Sequence, residues 1–290
     1  MPAVRTLGLP TRPSRSSPAK HLLVMGIVNV TPDSFSDGGA YLDPGAAVAH
    51  GQRLADEGAD LLDVGGESTR PGASPVPAAE ELRRVLPVIE RLARAVRVPI
   101  SIDTSKAAVA EAALAAGARI VNDVTALRGD RRMAAVAARG GATVILMHMR
   151  GRPRTMQQRP RYHDVVAEVG AFLWTAAEQA QAAGIARERI LVDPGLGFGK
   201  FAAHNLALLR GLPRLAALGY PVALGPSRKS FIGHALGVEV GDRLPGTLAC
   251  VAHAHRCGVR LVRVHDVRPA VELVRMLEAI EDPHAARREH

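Results

Sequence analysis

The sequence has few cysteines and few aromatic residues. Its 290 residues include two cysteines, Cys250 and Cys257, and only 3% aromatic residues. The cysteines lie two turns apart in a stretch with helical spacing, so their Cα atoms are expected about 10 Å apart, which is too far for a disulfide. The spacing is also wrong for a chelating zinc pair. We therefore expect reduced thiols and a cytoplasmic location.

Long apolar runs are missing as well. No run reaches about 18 apolar residues, so no transmembrane helix and no membrane partner is expected. The first 20 residues are basic and rich in Pro and Ser, without the apolar segment of a secretory signal. We interpret 1–20 as a disordered basic tail, 21–282 as a single folded domain and 283–290 as a C-terminal tail.

The charge balance is strongly positive, at +9, and arginine supplies most of it. Such a balance is compatible with binding to nucleic acid or to anionic substrates. Here the charge is scattered along the chain, and the scarcity of aromatics leaves few platforms for base stacking. An arginine-rich solvated surface is therefore favoured, and no nucleic-acid partner is expected.

The chain does contain eight short apolar runs separated by stretches with helical spacing. Continuous apolar runs, without strict alternation, favour strands buried on both faces of a parallel sheet. Eight strand–helix units predict an α/β fold, a single-domain (β/α)₈ TIM barrel. An open doubly wound sheet is the alternative, but no Gly-x-Gly-x-x-Gly turn follows the first run. The predicted strands are 22–30, 59–66, 99–105, 119–125, 143–149, 189–195, 220–227 and 259–267.

Polar or charged residues stand at the end of every predicted strand. The active site of such a barrel lies at this face. Asp103 and Asn122 lie inside their apolar runs, so their side chains should point into the barrel mouth, where an unpaired polar group is costly. With Asp193 they suit the donor–acceptor edge of an aminopyrimidine. Mg²⁺ is an alternative ligand for such a set, although Lys229 would compete with it.

Cationic side chains also gather at this mouth. The loops after strands 7 and 8 form the recurrent phosphate site of the fold, and Arg and His donate charge-assisted bonds to phosphate. An anionic, phosphorylated substrate group is therefore predicted. The alternative is that these cations pair with neighbouring carboxylates. The cations are Arg70, Arg228, Lys229, Arg263 and His265, and the carboxylates are Asp33, Asp37, Glu67 and Asp266.

Eight longer segments stand at the strand ends, within about residues 20–282. The most specific are NVTPDSFSDGG, within 25–39, and SRKSFIG, within 225–233. The others are DVGGESTRPG (63–72), SIDTSK (101–106), IVNDV (120–124), PRTMQ (153–157), ILVDPGLGFGK (190–200) and RVHDV (263–267). Together, these segments resemble the dihydropteroate synthase family.

The resemblance implies a transferase of folate biosynthesis that is a target of sulfonamides. Such an enzyme condenses 6-hydroxymethyl-7,8-dihydropterin pyrophosphate with p-aminobenzoate, by dissociative substitution at the pterin methylene, and releases 7,8-dihydropteroate and pyrophosphate. It also implies Mg²⁺ as cofactor, a homodimer, and closure of loops 31–39 and 67–73 over the site.

The resemblance further implies a role for each matching residue. The catalytic set would be Asp103, Lys229, Arg263 and His265. The pterin would contact Asp103, Asn122, Asp193, Lys229, Met147 and Phe198. The pyrophosphate would contact Asn29, Thr69, Arg70, Arg263 and His265, with Asn29 also touching Mg²⁺. The p-aminobenzoate pocket would be framed by Phe35, Thr69, Pro71, Lys229 and Ser230.

Three other functions compete with this interpretation. A methyltetrahydrofolate-dependent methyltransferase on the same barrel would have no use for the Arg-x-His end of strand 8. A catalytically silent paralogue would bind pterin without turnover. A basic RNA- or DNA-binding protein would show an affinity that falls steeply with salt.

Overall fold

Eight parallel strands form the centre of the computed structural model, which describes residues 22–31, 44–70 and 72–282. Each lies within a predicted run. The strands are β1 Leu23–Asn29, β2 Leu61–Gly65, β3 Ile100–Asp103, β4 Ile120–Asp123, β5 Thr143–Met147, β6 Ile190–Asp193, β7 Ala223–Leu224 and β8 Leu261–Val264.

The strands close into a barrel. Their hydrogen-bonded order is β6-β5-β4-β3-β2-β1-β8-β7. A parallel bridge between Val192 and Val222 joins the two ends of this order, beside a hydrogen bond of 3.0 Å from the Val192 amide to the Pro221 carbonyl. The predicted (β/α)₈ barrel is therefore confirmed, and the open sheet is excluded.

Helices follow every strand and cover the barrel. They are α1 Pro44–Asp56, α2 Ala78–Ala95, α3 Ala107–Ala115, α4 Met133–Arg139, α5 Val165–Ala182, α6 Ala202–Arg210, α7 Leu212–Ala216, α8 Ser230–Leu236, α9 Leu244–Arg256 and α10 Val267–Glu281. Short 3₁₀ turns occur at Arg187–Arg189 and Val240–Asp242. No helix within the described ranges is long and apolar enough to span a membrane.

Two helices depart from the one-helix-per-strand prediction. The stretch predicted as one helix, 204–219, divides at Gly211 into α6 and α7, and Pro213 stands in the first turn of α7. A Cβ at Gly211 would lie 2.7 Å from the Val166 side chain, so this break packs directly against α5. Helix α8 is an addition to the prediction, because its seven residues are too few to show a periodic pattern. The proposed tails, 1–20 and 283–290, lie outside the described residues.

The two-residue period of the strands separates the barrel interior into an apolar floor and a polar mouth. The floor is one buried cluster of Leu23, Met25, Leu61, Ile120, Ile145, Leu191, Ala223 and Leu261. Side chains two residues apart face the same side of a strand. The next inward positions after Leu61, Ile120, Ile145, Leu191 and Leu261 are therefore Asp63, Asn122, Met147, Asp193 and Arg263.

The outward-facing residues of the strands are apolar and fully buried under the helices. Val64, Ile102, Val121 and Val262 are examples, each 0% exposed within the larger core cluster. Burial on both faces explains why the sequence shows continuous apolar runs.

Gly195 allows the chain to turn sharply after β6. Its φ is +66°, and a Cβ there would lie 2.0 Å from the carbonyl oxygen of His148. No side chain fits without displacing the backbone of the neighbouring loop after β5.

Gly195→Ala should therefore destabilise the fold more than the same substitution at a left-handed glycine that has free space around it. Gly237 is the matched control, because its φ is +68° but nothing lies within 4 Å of the position that a Cβ would occupy. Gly237→Ala should lower the free energy of unfolding by about 1–2 kcal/mol, the cost of the left-handed conformation alone. Gly195→Ala should lower it by clearly more in the same urea titration. Equal losses would contradict the close approach.

Candidate active site

A cavity opens at the carboxyl ends of the strands, as the barrel predicts. It holds about 450 Å³ of free space, counting the part open to solvent. Most of the predicted site residues line it. The lining consists of Ile27, Thr69, Asp103, Asn122, Val124, Met147, Asp193, Phe198, Gly225, Ser227, Lys229, Arg263 and His265.

Other predicted residues lie outside this lining. Asn29 is half-buried at the last position of β1, Arg70 is exposed, and Ser230 is exposed at the first position of α8. Phe35 and Pro71 lie outside the described residues, as does most of the loop 31–39.

Asp63 connects the two halves of the cavity, and sequence reasoning missed it. This fully buried carboxylate accepts a hydrogen bond from the Asn122 amide at 3.0 Å and pairs with Arg263 Nε at 2.5 Å. The bond orients the Asn122 amide, whose nitrogen faces Asp63 and whose oxygen stays available as an acceptor. Asp63 could have been found from its position two residues after Leu61, which faces the barrel interior. That inward orientation of Leu61 is known only once the strand register is known.

Asp103 lies on the other side of the same arginine. Its Oδ2 is 2.9 Å from Arg263 Nη2, and the residue is 8% exposed. Burial raises the pKa of Asp103 to about 7, although the Arg263 charge opposes this shift. The carboxyl is therefore partly protonated near neutral pH before a ligand binds.

Asp193 and Lys229 form the opposite wall. Asp193 Oδ1 accepts a hydrogen bond of 2.7 Å from the Gly195 amide, and burial raises the pKa of Asp193 while Lys229 opposes the rise. Burial lowers the pKa of Lys229 to about 8, and the Asp193 charge limits the fall. The Lys229 ammonium donates to the Leu196 carbonyl and lies 4.7 Å from the centre of the Phe198 ring.

A buried lysine holds the loop that carries Phe198. Lys200 is 3% exposed, and its ammonium lies 3.0 Å from the Gly195 and Phe198 carbonyl oxygens and 2.9 Å from His148 Nδ1. Burial lowers the pKa of Lys200 to about 7 and, with the Lys200 charge, that of His148 to about 3. The aromatic wall of the cavity is thus supported from behind by polar contacts.

Ser227 orients His265 at the cationic end of the cavity. The Ser227 hydroxyl oxygen accepts from the His265 amide at 3.1 Å and lies 2.9 Å from His265 Nδ1. This arrangement favours a hydroxyl hydrogen directed at Nδ1, which keeps the ring proton on Nε2. Burial, followed by the charges of Arg263 and Arg70, lowers the pKa of His265 to about 4. The imidazole is therefore neutral at pH 7 until an anion arrives.

Two of the predicted ionic groups satisfy each other instead. Arg228 makes a bidentate pair with Asp266, at 2.6 and 2.9 Å, and does not line the cavity. Glu67 pairs with Lys106, a residue that the sequence interpretation did not consider. The alternative prediction, that the cations pair with neighbouring carboxylates, is thus correct for Arg228. Lys229 and His265 instead line the cavity.

The chain as a whole resembles proteins of known function. The model of the pterin binding enzyme family matches residues 25–265. Dihydropteroate synthase of Escherichia coli (strain K12) is 48% identical over 259 residues, or 89% of this chain and 92% of that protein.

Solved structures agree equally well. The Xanthomonas albilineans dihydropteroate synthase with 4-aminobenzoic acid is 51% identical, with a TM-score of 0.86 over 91% of this chain and 94% of that chain. The enzyme of the same organism in complex with 7,8-dihydropteroate is 48% identical, with a TM-score of 0.82 over 91% and 95%. The Yersinia pestis enzyme with a sulfonamide drug is 45% identical, with a TM-score of 0.86 over 91% and 95%.

A closed parallel barrel with this polar mouth and this family match defines a pterin-binding barrel enzyme. Identity near one half, over about nine-tenths of both chains, narrows the class further. The chain belongs to the dihydropteroate synthase family. The predicted family and the predicted transferase class are confirmed.

Asp63→Asn should disturb the polar edge and the cationic end of the cavity at once, because the substitution removes one of the two carboxylates that hold Arg263. Asp103 still pairs with the guanidinium, so no buried charge is left unpaired. Urea unfolding should therefore show a loss of about 1.5–3 kcal/mol, the contribution of a hydrogen bond to a charged group. Glu111→Gln, which removes an exposed pair with Arg139 at 3.2 Å, should change stability by less than about 1 kcal/mol. A similar small loss in both variants would show that Asp63 does not support the site.

Proposed function

We propose that this chain joins 6-hydroxymethyl-7,8-dihydropterin pyrophosphate to p-aminobenzoate, giving 7,8-dihydropteroate and pyrophosphate. The carrying observation is one cavity that combines Asp103, Asn122 and Asp193 with the cations Lys229 and Arg263. The first three supply the acceptors that an aminopterin edge needs. The relatives from Xanthomonas albilineans, which hold 4-aminobenzoic acid and 7,8-dihydropteroate, support the same pair of ligands here.

The pterin ring would lie between the polar edge and the apolar wall. Asp103, Asn122 and Asp193 would accept from the ring's donors, and Lys229 would donate to its acceptors. Met147 and Phe198, both in the lining, would contact the flat faces. Asp63 orients the polar edge and Lys200 holds the loop of the apolar wall. Little reorganisation of the site is therefore needed when the pterin binds.

The pyrophosphate would be held at the end of β8. Arg263 and His265 face the cavity there, Thr69 also lines it, and Arg70 is exposed. The His265 pKa, lowered by burial and by the Arg263 charge, would rise when an anion enters, so the imidazole could gain a proton on binding. That change would add a second charge-assisted donor to the leaving group.

We also propose Mg²⁺ as cofactor, with Asn29 as its protein ligand. No group of three His, Cys, Asp or Glu side chains within the described ranges could hold a metal alone. A single protein ligand such as Asn29 fits an ion that is shared with the substrate phosphate, because Mg²⁺ usually combines few protein oxygens with waters and phosphate oxygens. When bound, Mg²⁺ supplies charge neutralisation for the departing pyrophosphate.

In the proposed substitution, the pyrophosphate would leave before the amine of p-aminobenzoate attacks. The C–O bond at the pterin methylene breaks, and its electron pair leaves with the pyrophosphate. The amine lone pair of p-aminobenzoate then bonds the methylene carbon, and the amine loses a proton. Asp103 and Asp193 would stabilise the positive charge on the pterin, while Arg263 and His265 would stabilise the negative charge on the leaving group.

The p-aminobenzoate pocket would lie above the pterin, where sulfonamides would compete. Thr69 and Lys229 line the cavity on this side, and Ser230 begins α8 next to Lys229. Phe35 and Pro71, proposed to complete the pocket, lie outside the described residues. A homodimer and a cytoplasmic location are further proposals, and the two free thiols fit a reducing compartment.

The direct test is incubation of the purified protein with the pterin pyrophosphate, p-aminobenzoate and Mg²⁺. We expect dihydropteroate and released pyrophosphate. EDTA should abolish both until excess Mg²⁺ is added, and a sulfonamide should lower dihydropteroate formation until excess p-aminobenzoate is added. Pterin binding without product would identify a silent paralogue. Absence of pterin binding would reject the roles given to Asp103, Asn122 and Asp193.

Asp103→Asn should lower kcat by about 10²–10³, the usual cost of removing one charge-stabilising group, while pterin affinity falls far less. Because the raised pKa of Asp103 is about 7, the carboxylate forms as pH rises through that value. The kcat/KM of the parent should therefore increase over this interval, and the increase should vanish in the variant. Equal losses in kcat and in pterin affinity would reject charge stabilisation by Asp103.

A further inference from the structure

Glu81 is a fully buried carboxylate outside the cavity. It lies in the first turns of α2 and is 0% exposed. Its Oε2 is 2.5 Å from the Lys106 ammonium, and its Oε1 has no hydrogen-bond partner in the described part of the chain. A buried carboxylate is costly unless it is paired, so Lys106 is held firmly at this place.

Lys106 also contacts Glu67, at the beginning of the loop after β2. The two residues meet because Gly65 of β2 pairs with Asp103 of β3, so the chain segments that follow these strands emerge side by side. Burial lowers the pKa of Lys106, but the hydrogen bonds that its ammonium donates to Glu67 and Glu81 outweigh this effect and raise the pKa. The ammonium is therefore a permanent cation between a fixed carboxylate and a carboxylate on the loop.

The backbone beside Glu67 is packed directly against α2. A Cβ at Gly66 would lie 2.7 Å from Val85 Cγ1 and 3.1 Å from Glu81 Cγ. The Gly66 carbonyl accepts a hydrogen bond of 2.9 Å from Arg84, which is itself bonded to Glu80 at 2.8 Å. The chain thus leaves β2 along a defined path as far as Glu67.

Thr69, which lines the cavity, follows two residues later. Within the loop, the Arg70 amide donates a long hydrogen bond of 3.4 Å to Ser68 Oγ. Beyond Thr69, the Gly72 amide donates to the Pro153 carbonyl at 3.1 Å and so ties the loop to another part of the chain. Among the described residues, the ion pair of Glu67 is therefore the nearest side-chain contact on the strand side of Thr69 that joins the loop to another part of the fold.

We propose that Glu67 is a positioning residue, which the Lys106–Glu81 pair holds in place so that Thr69 faces the p-aminobenzoate side of the cavity. The inference rests on the proposed function for its choice of ligand. The residues proposed to contact the pterin ring lie on or after strands other than β2. Their placement therefore does not depend on the ion pair of Glu67 with Lys106.

Steady-state kinetics of Glu67→Gln provide the test, because this variant keeps the buried Lys106–Glu81 pair. We expect the KM for p-aminobenzoate to rise about three- to tenfold, the effect of one partly exposed ion pair. The affinity for the hydroxymethyl-dihydropterin without its pyrophosphate, kcat and the melting temperature should stay within about twofold or 2 °C of the parent. Glu111→Gln, which removes an ion pair between α3 and α4, should change none of these quantities.

A second variant removes the anchor without leaving a buried charge. Lys106→Met with Glu81→Met replaces the buried pair by apolar chains of similar length, an exchange that proteins often tolerate. This double variant should raise the KM for p-aminobenzoate by the same factor as Glu67→Gln. Adding Glu67→Gln to it should cause no further rise, because the two changes break one interaction.

Amide hydrogen exchange provides a readout that does not require turnover. In Glu67→Gln, peptides covering 66–70 should exchange faster, while peptides of β2 and β3 keep the parent rates. An unchanged KM for p-aminobenzoate together with unchanged exchange would overturn the proposal. A weaker affinity for the pterin without its pyrophosphate, together with a lower melting temperature, would also overturn it, since Glu67 would then serve the fold in general. If the parent makes no product, the proposed function fails, and the exchange experiment still decides the role of Glu67 on its own.

Discussion

The contact of Arg263 with both Asp63 and Asp103 is the interaction on which the polar mouth of the barrel depends. These residues are separated by 200 and 160 positions in the chain, yet they meet at 2.5 and 2.9 Å. Two carboxylates this deeply buried would repel each other and suffer desolvation without the guanidinium. The closed barrel brings the three together, and the charges in turn restrict how β2, β3 and β8 can be arranged at this end.

Ligand recognition follows from the same balance. Asp63 uses one oxygen both for Arg263 and for the Asn122 amide, so the polar edge and the cationic end are oriented by one carboxylate. The opposite wall repeats the pattern, with Asp193 beside Lys229 and with Lys200 holding the intervening loop. Donors and acceptors are therefore already directed at the places where charge would develop, which is how a site stabilises a transition state without reorganising.

The loops around the mouth differ from this rigid interior in how they are held. The loop after β6 is fixed by the buried Lys200, and its turn at Gly195 admits no side chain. The loop after β2 is held at its base by Lys106 and Arg84 and contacts Pro153 further along. A firmly held wall and a loop tied at both ends therefore border the same cavity.

The sequence by itself determined the architecture and most of the cavity lining. Continuous apolar runs reveal strands buried on both faces, and the residue at the end of a parallel strand belongs to the mouth wherever the strand stands in the barrel. Asp103, Asn122, Asp193 and Arg263 could be identified for that reason. Their local position alone decides which face they occupy.

Only the tertiary structure decided which charged groups meet. Arg228 and Arg263 look alike in sequence, yet the first pairs with Asp266 away from the cavity, while the second pairs with Asp63 and Asp103 and lines it. Asp63, Ser227 and Lys200 gained their importance from partners that are distant in the chain. The same holds for the Glu81–Lys106–Glu67 contacts. Strand and helix patterns arise from neighbours along the chain, whereas the pairing of buried charges depends on strand register and barrel closure, which no local pattern records.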